Sequence, residues 1–411
     1  MNPIKPFQIS VPESNLQLLN QKLSLATFPD ELDHADWDMG CPLPDIKRLA
    51  AYWKDGFNWR EKERQLNEQL AQFTTSVPVT DFGELDIHFI HHRSQTPGAI
   101  PLLFVHGWPG SFLEATKLLP LLTRGDANQP AFHVVAPSLP NFGFSQGVKK
   151  RGFGLAQHAE AMHRVMLALG YEEYAIQGGD WGGIISRVMA QHYPQHIKAV
   201  HVNFLPATPP YPWRAPLRFL QSLLTIPFSA RDKGYLASTF DYFTKGNGYM
   251  VQQQTRPQTL GYGLHDSPIA LLAWLYDKLH SWTDHYPWSD DEILTWVCVY
   301  QFSAAGPAAS VRIYYEAANG GKAPGSVSST QAVSRCIPSS VRLAAAQFPG
   351  ELLQTPFAWF RAVGNVVRES VFEAGGHFAA WEVPELLAAD LRSAFGRNGQ
   401  MYAVVAGKDG Y

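Results

Sequence analysis

The stretch Tyr174-Ala175-Ile176-Gln177-Gly178-Gly179-Asp180-Trp181-Gly182-Gly183 constrains this chain more tightly than any other. An apolar run enters two glycines, one carboxylate, a tryptophan and two further glycines. Ile184 to Ala190 then continue with helical spacing. The pattern predicts a strand, a sharp turn and a helix. Glycines flank Asp180 where such a turn would press a Cβ against neighbouring backbone. An elbow of this kind lifts its apical side chain clear of the sheet as a nucleophile. With Asp at the apex, the implied chemistry is carboxylate attack and a covalent ester. A solvated Asp in an ordinary glycine-rich turn has the same composition, so the rest of the chain has to discriminate.

From Leu85 onward, strand-like runs alternate with helix-length segments. Leu85 to Ile90 alternates like a half-buried strand. Pro101 to Val105 is a continuous apolar run, as expected of a strand buried on both faces, and Phe132 to Pro137 reads as another buried strand, stopped by the proline. Tyr174 to Gln177 and Ala199 to Phe204 follow, and strand character resumes at Val341 to Ala346 and Val366 to Phe372. The alternation predicts an α/β fold, with a mostly parallel central sheet flanked by helices. Residues 1 to about 80 read instead as a helical extension. Leu16, Leu19 and Leu23 recur at helical spacing, Asp45 to Lys54 is a second helix, and Asn58 with Glu61 makes a capped start for a third. Trp53, Phe57 and Trp59 read as packing residues there. After Phe204, Pro206, Pro209, Pro210, Pro212 and Pro216 break the pattern. The mostly helical, aromatic-rich segment behind them reads as a lid inserted over the C-terminal edge of the sheet. The expected division is an N-terminal helical extension over 1–80, a first core part over 81–205, a lid over 206–319 and a second core part over 320–411. Gly320 to Thr330 is the expected flexible connection.

Bulk properties exclude several classes. In 411 residues the formal net charge is -3 and no basic stripe is visible, so no nucleic-acid partner is expected. Three scattered cysteines, Cys41, Cys298 and Cys336, argue against a disulfide framework and suit a reducing compartment. Met1 to Pro6 lacks the apolar core of a signal peptide. The longest apolar run, Ile269 to Tyr276, is far short of the ~20 residues that span a bilayer. A soluble cytoplasmic protein is expected. No metal is expected either: His91 and His92 are adjacent in a strand and point to opposite faces, while His158 and His163 miss the same-face helix spacing. The 12 Trp, 16 Tyr and 24 Phe are mostly core, with enough left over to line an aromatic pocket.

Four local motifs together carry a resemblance: Phe57-Asn58-Trp59-Arg60 with Gln72-Phe73; His106-Gly107-Trp108-Pro109; Gly178 to Gly183 around Asp180; and Gly375-Gly376-His377-Phe378. In this order they span most of the chain. The chain resembles the epoxide hydrolases of the α/β-hydrolase superfamily, on the branch of microsomal and fungal soluble enzymes with an N-terminal helical extension. The resemblance implies an α/β-hydrolase fold with a helical lid and no cofactor. It implies hydrolysis of a small-molecule epoxide to a vicinal diol, and the absence of the microsomal anchor implies a soluble form. Family members are often dimers, so a homodimer is open.

Opening a three-membered ether by a carboxylate needs an acid on the ring oxygen, and the ester that results needs a base to activate water. His377 fits the base. It follows the last apparent strand and completes the nucleophile, acid, His order of this fold. Glu351, in the turn after Val341 to Phe348 and 26 residues before His377, fits the orienting acid. Glu316 is its rival. His133, His201 and His265 lack such a setting. By local context the resemblance implies Tyr249, six residues before Thr255-Arg256-Pro257, and Tyr314, in Arg312-Ile313-Tyr314-Tyr315-Glu316, as ring-oxygen donors. Tyr315 competes with Tyr314. The resemblance also implies an oxyanion hole from the backbone N–H groups of Trp108 and Trp181.

A haloalkane dehalogenase shares the Asp nucleophile and often the following Trp, but it uses halide-binding N–H groups in place of paired tyrosines. A non-catalytic relative usually loses part of the set, whereas every position here is filled. Lid aromatics hint at a bulky apolar substrate. Its identity, regiochemistry and enantiopreference stay open, as does a detoxifying or biosynthetic role.

Overall fold

The computed structural model describes residues 2–320 and 326–411. Its centre is a nine-stranded sheet of β1 (Lys5–Pro6), β2 (Gln72–Val79), β3 (Gly83–His92), β4 (Ile100–Val105), β5 (Phe132–Pro137), β6 (Tyr174–Gly178), β7 (Ile197–Val202), β8 (Arg342–Gln347) and β9 (Asn365–Val371). The spatial order is β1-β2-β3-β5-β4-β6-β7-β8-β9. Pairing is antiparallel from β1 to β5 and parallel beyond. The apolar runs explain the middle. Every residue of β4 and β6 is buried, because helices cover both faces of a parallel sheet.

Two registers matter for function. Val105 pairs with Gly178, so β4 and β6 end level and release their loops side by side. An isolated bridge joins Gly350 to Gly376 just beyond β8 and β9. It carries the pairing of those strands into the loops that follow.

Residues 72–79, read from the sequence as part of a helical extension, form a strand instead. Thr74, Thr75, Val77 and Val79 are β-branched, and pairing with Gly83–His92 supplies the partner that gives such residues their strand preference. Ahead of it the helices Glu13–Ser24, Leu43–Asp55 and Trp59–Gln69 form as expected. The Asn58 side chain accepts from Glu61 N–H at 3.2 Å. The Glu61 carboxylate, however, turns to Arg64, so only half of a capping box is made. Trp53 and Trp59 are buried, and the Trp59 ring meets Phe302 at 5.2 Å. Burial of this kind anchors the extension to the following domain far more firmly than its exposed ion pairs do.

Between β7 and β8 the chain runs through helices that include Pro216–Thr225, Ala230–Asp241, Gly248–Thr255, Pro257–Asp266, Pro268–Ser281, Asp290–Gln301 and Arg312–Asn319. Buried Arg187, on the elbow helix, ties both ends of this excursion. It donates to Pro206 O at 2.6 Å and to Val333 O at 2.5 Å. Of the expected connection Gly320 to Thr330, residues 321–325 lie outside the described residues, and its end is the capped start of the helix Ser329–Ser334. Among the described residues no helix is long and apolar enough to cross a membrane. His91 and His92 are each bound locally, to Tyr171 OH at 2.9 Å and to Ala71 N–H at 3.0 Å.

Candidate active site

Asp180 is the first residue of the helix Asp180–His192 and has φ +48°. That conformation costs a non-glycine residue about 1–3 kcal/mol, a strain that collects at functional positions. Glycine at 182 makes the elbow possible: a Cβ there would lie 1.8 Å from Val105 O. Gly107 serves the neighbouring loop in the same way, since its Cβ would lie 2.1 Å from Asp180 Oδ1. The elbow and the loop after β4 therefore touch, as the level strand ends require.

The loop His106–Gly110 is fixed from three sides. His106 Nε2 accepts from Leu139 N–H at 3.1 Å, which leaves Nδ1–H to donate to Gly107 O at 2.9 Å. Burial holds this imidazole neutral, with its pKa near 4. Trp296 Nε1 donates to Pro109 O at 2.5 Å and Tyr300 OH to Gly110 O at 2.6 Å, both from the helix Asp290–Gln301. So held, Trp108 N–H donates to Asp180 Oδ1 at 2.7 Å. The expected second donor differs in what it shows. Trp181 presents its indole edge-on to the Tyr314 ring at 4.9 Å, and its Nε1 has no partner among the described residues.

On the other side, His377 Nε2 lies 3.5 Å from Asp180 Oδ2, and His377 Nδ1 lies 2.6 Å from Glu351 Oε1. Glu351 also accepts from Leu352 N–H at 2.7 Å. The loop bearing His377 is pinned by Gly375 N–H to Asp284 Oδ2 at 2.9 Å, His377 N–H to Trp282 O at 2.9 Å and Phe378 N–H to Glu382 Oε1 at 3.0 Å. Burial alone would lower the His377 pKa. The carboxylates of Glu351 and Asp180 outweigh it and hold the imidazole well above its ordinary range.

Over the carboxylate stands an aromatic cage. The Tyr249 ring stacks on Trp108 at 5.4 Å, Tyr314 meets Trp108 edge-on at 5.6 Å, and the two phenol rings are 5.8 Å apart. Burial, then nearby groups that include Asp180, push both phenols well above 10. The Tyr314 side chain is buried among the rings of Trp108, Trp181 and Tyr249.

The fold thus brings together Asp180, His377, Glu351, Trp108, Trp181, Tyr249 and Tyr314. The rivals go elsewhere. Tyr315 OH accepts from Arg151 at 3.1 Å, and Glu351 rather than Glu316 meets His377. His201 pairs with Asp390 at 2.9 Å, and His133 accepts from Ser94 N–H at 3.0 Å. Sequence reading missed Tyr242, whose hydroxyl is 2.9 Å from that of Tyr249, seven residues on. It also missed Trp282, whose ring is 4.9 Å from Tyr249 and 5.1 Å from His377, and Lys278, with its ammonium 4.9 Å from the Tyr249 ring centre. A π turn and Asn247 separate Tyr242 from the helix of Tyr249, so helical spacing gave no signal for Tyr242.

Comparison with known proteins gives matches along most of the chain. Residues 4–115 match the family model described as epoxide hydrolase N terminus, and residues 100–222 match that of the alpha/beta hydrolase fold. A putative epoxide hydrolase of Stigmatella aurantiaca is 36% identical over 402 residues, covering 95% of this chain and 84% of its own. The solved Aspergillus niger epoxide hydrolase superposes with a TM-score of 0.79 at 31% identity, covering 95% of each chain. The juvenile hormone epoxide hydrolase of the silkworm Bombyx mori superposes with a TM-score of 0.83 at 28% identity, covering 95% of this chain and 93% of its own.

Proposed function

The chain belongs to the epoxide hydrolases of the α/β-hydrolase fold, and on that premise we propose that it opens a small-molecule epoxide through a covalent ester on Asp180. The observation that carries the reading is the unequal treatment of the two Asp180 oxygens. Oδ1 is held by Trp108 N–H at 2.7 Å, while Oδ2 faces His377 Nε2 at 3.5 Å. In this reading Oδ2 attacks a ring carbon and Oδ1 becomes the ester carbonyl oxygen. The ring C–O bond breaks as Tyr249 and Tyr314 both hydrogen-bond the departing oxygen and one of them passes it a proton. Their raised pKa values keep both phenols protonated before the reaction.

Ester formation removes the Asp180 charge. One of the two carboxylates that raise the His377 pKa is then gone, so the imidazole gives up its proton more readily when a base is needed. Neutral His377, oriented by Glu351, takes a proton from water as the water oxygen adds to Asp180 Cγ. Negative charge develops on Oδ1, where Trp108 N–H already points. Collapse breaks the bond from Asp180 Cγ to the diol oxygen, the proton left on the added oxygen passes to that leaving oxygen, the carboxylate is restored, and the proton held by His377 returns through solvent to the phenolate left by ring opening. One such donor is typically worth about 10²–10³ in rate. In this reading the helices between β7 and β8 act as the lid, and their aromatic rings favour a bulky apolar epoxide.

The test is one turnover, with enzyme in excess, in heavy-oxygen water. The expected first diol carries unlabelled oxygen taken from Asp180. Solvent label in that first diol would remove the ester mechanism.

A further inference from the structure

We propose that Tyr242 is a positioning residue for ring opening, a third phenol that donates to Tyr249 and so directs the Tyr249 proton at the epoxide oxygen. The inference rests on the ring-opening reading above and adds a residue to it. The two hydroxyl oxygens are 2.9 Å apart, an ordinary hydrogen-bond distance. Tyr242 opens a five-residue π-helical turn, Tyr242–Gly246, one residue before the helix that carries Tyr249. Single π turns recur at functional sites.

Proton counting sets the direction of the bond. A phenol has one proton to donate and lone pairs to accept with. Before substrate arrives, the bond between the two hydroxyls can run either way. Once Tyr249 gives its only proton to the epoxide oxygen, the 2.9 Å contact survives only if Tyr242 donates. As the ring C–O bond breaks and the Tyr249 proton moves toward the departing oxygen, negative charge grows on the Tyr249 oxygen. A donated O–H from Tyr242 meets that charge inside the low-dielectric cage, where hydrogen bonds polarise one another most. Tyr249 therefore has a phenol 2.9 Å behind it. In this reading Tyr249 supplies the proton, and Tyr314 orients the oxygen.

The experiment is a double-mutant cycle on ester formation and ester hydrolysis, followed separately by rapid acid quench and mass measurement of the alkylated chain. Tyr242→Phe is expected to slow ester formation on the order of 10-fold, a typical effect of one charge-assisted hydrogen bond, and to leave ester hydrolysis unchanged. Added to Tyr249→Phe, it is expected to cost nothing more, because the group it acts through is gone. Unchanged or faster ester formation in Tyr242→Phe overturns the proposal, as does an equal further loss in the Tyr249→Phe background. An inactive Tyr249→Phe beside a fully active Tyr242→Phe would sink this inference alone. A fully active Tyr249→Phe would sink the donor assignment and this inference with it. If Tyr242→Phe folds poorly, 3-fluorotyrosine at position 242 keeps the ring and strengthens the donor. Ester formation should then accelerate, and slowing would overturn the proposal.

Discussion

Glu351 Oε1 lies 2.6 Å from His377 Nδ1, with the two residues each one position past the bridge that joins Gly350 to Gly376. Strand pairing thus delivers the acid to the base, and the contact needs no long side-chain reach. Replacing Glu351 by Gln keeps the shape and removes the charge. In the ester Asp180 carries no charge, so burial, which lowers the His377 pKa, is then opposed by neither carboxylate and that pKa should fall. The acid limb of ester hydrolysis, where His377 loses its proton, is expected to move to lower pH. The plateau should drop on the order of 10²–10⁴-fold as a weaker, poorly oriented base remains. Mass spectrometry during turnover should reveal accumulated ester; a limb displaced to higher pH would refute the assignment.

Tyr314 is expected to matter for ring opening and not for ester hydrolysis. Its ring stands in the aromatic cage, with the Trp181 indole edge-on to it at 4.9 Å. Tyr314→Phe is expected to slow ester formation by about 10-fold or more while ester hydrolysis keeps the parent rate. Equal slowing of both steps in a rapid-quench experiment would refute the donor assignment.

Two glycines should fail in different ways when changed to Ala. At Gly107 the new methyl meets Asp180 Oδ1 at 2.1 Å and Asp180 Cβ at 2.4 Å, so the nucleophile is displaced and the elbow must shift with its Cβ. At Gly182 it meets Val105 O at 1.8 Å and His106 O at 2.8 Å, which is backbone. Gly107→Ala is therefore expected to form no ester and to lose less stability than Gly182→Ala. Gly182→Ala is expected to lose upward of about 3 kcal/mol, the far end of overpacking costs. Equal melting temperatures for the two variants would contradict this division.

Glu114 predicts a pH-dependent stability. Burial raises its pKa from near 4.5 to about 8, with His377 opposing and Asp180 adding to the shift. A carboxyl raised in the folded state takes up a proton on folding. Its contribution is fully present below about 4.5 and is lost as pH climbs toward about 8, at roughly 1.4 kcal/mol per pH unit between. Urea midpoints of Glu114→Gln should gain on the parent as pH rises through that window. A constant gap between the two proteins would exclude Glu114 as the source.

Much of this was legible in the chain because its signals are local. The elbow needs small residues around Asp180, and β4 and β6 need unbroken apolar runs, so composition alone marks them. β2 escaped notice because its threonines acquire strand character only from pairing with β3, a partner that no window of neighbours reveals. Tyr242 escaped because a π turn shifts the phase of the helix on which it lies.

The sequence by itself determined which chemical groups the chain owns and the order in which strands deliver them: carboxylate, acid, imidazole, with phenols between. Only the tertiary structure decided which of several candidates meet. It chose Glu351 over Glu316, turned Tyr315 to Arg151, and set one Asp180 oxygen on Trp108 N–H and the other toward His377. The physical reason is distance along the chain. Groups 72 and 26 residues apart become neighbours only when strand register fixes where each loop begins.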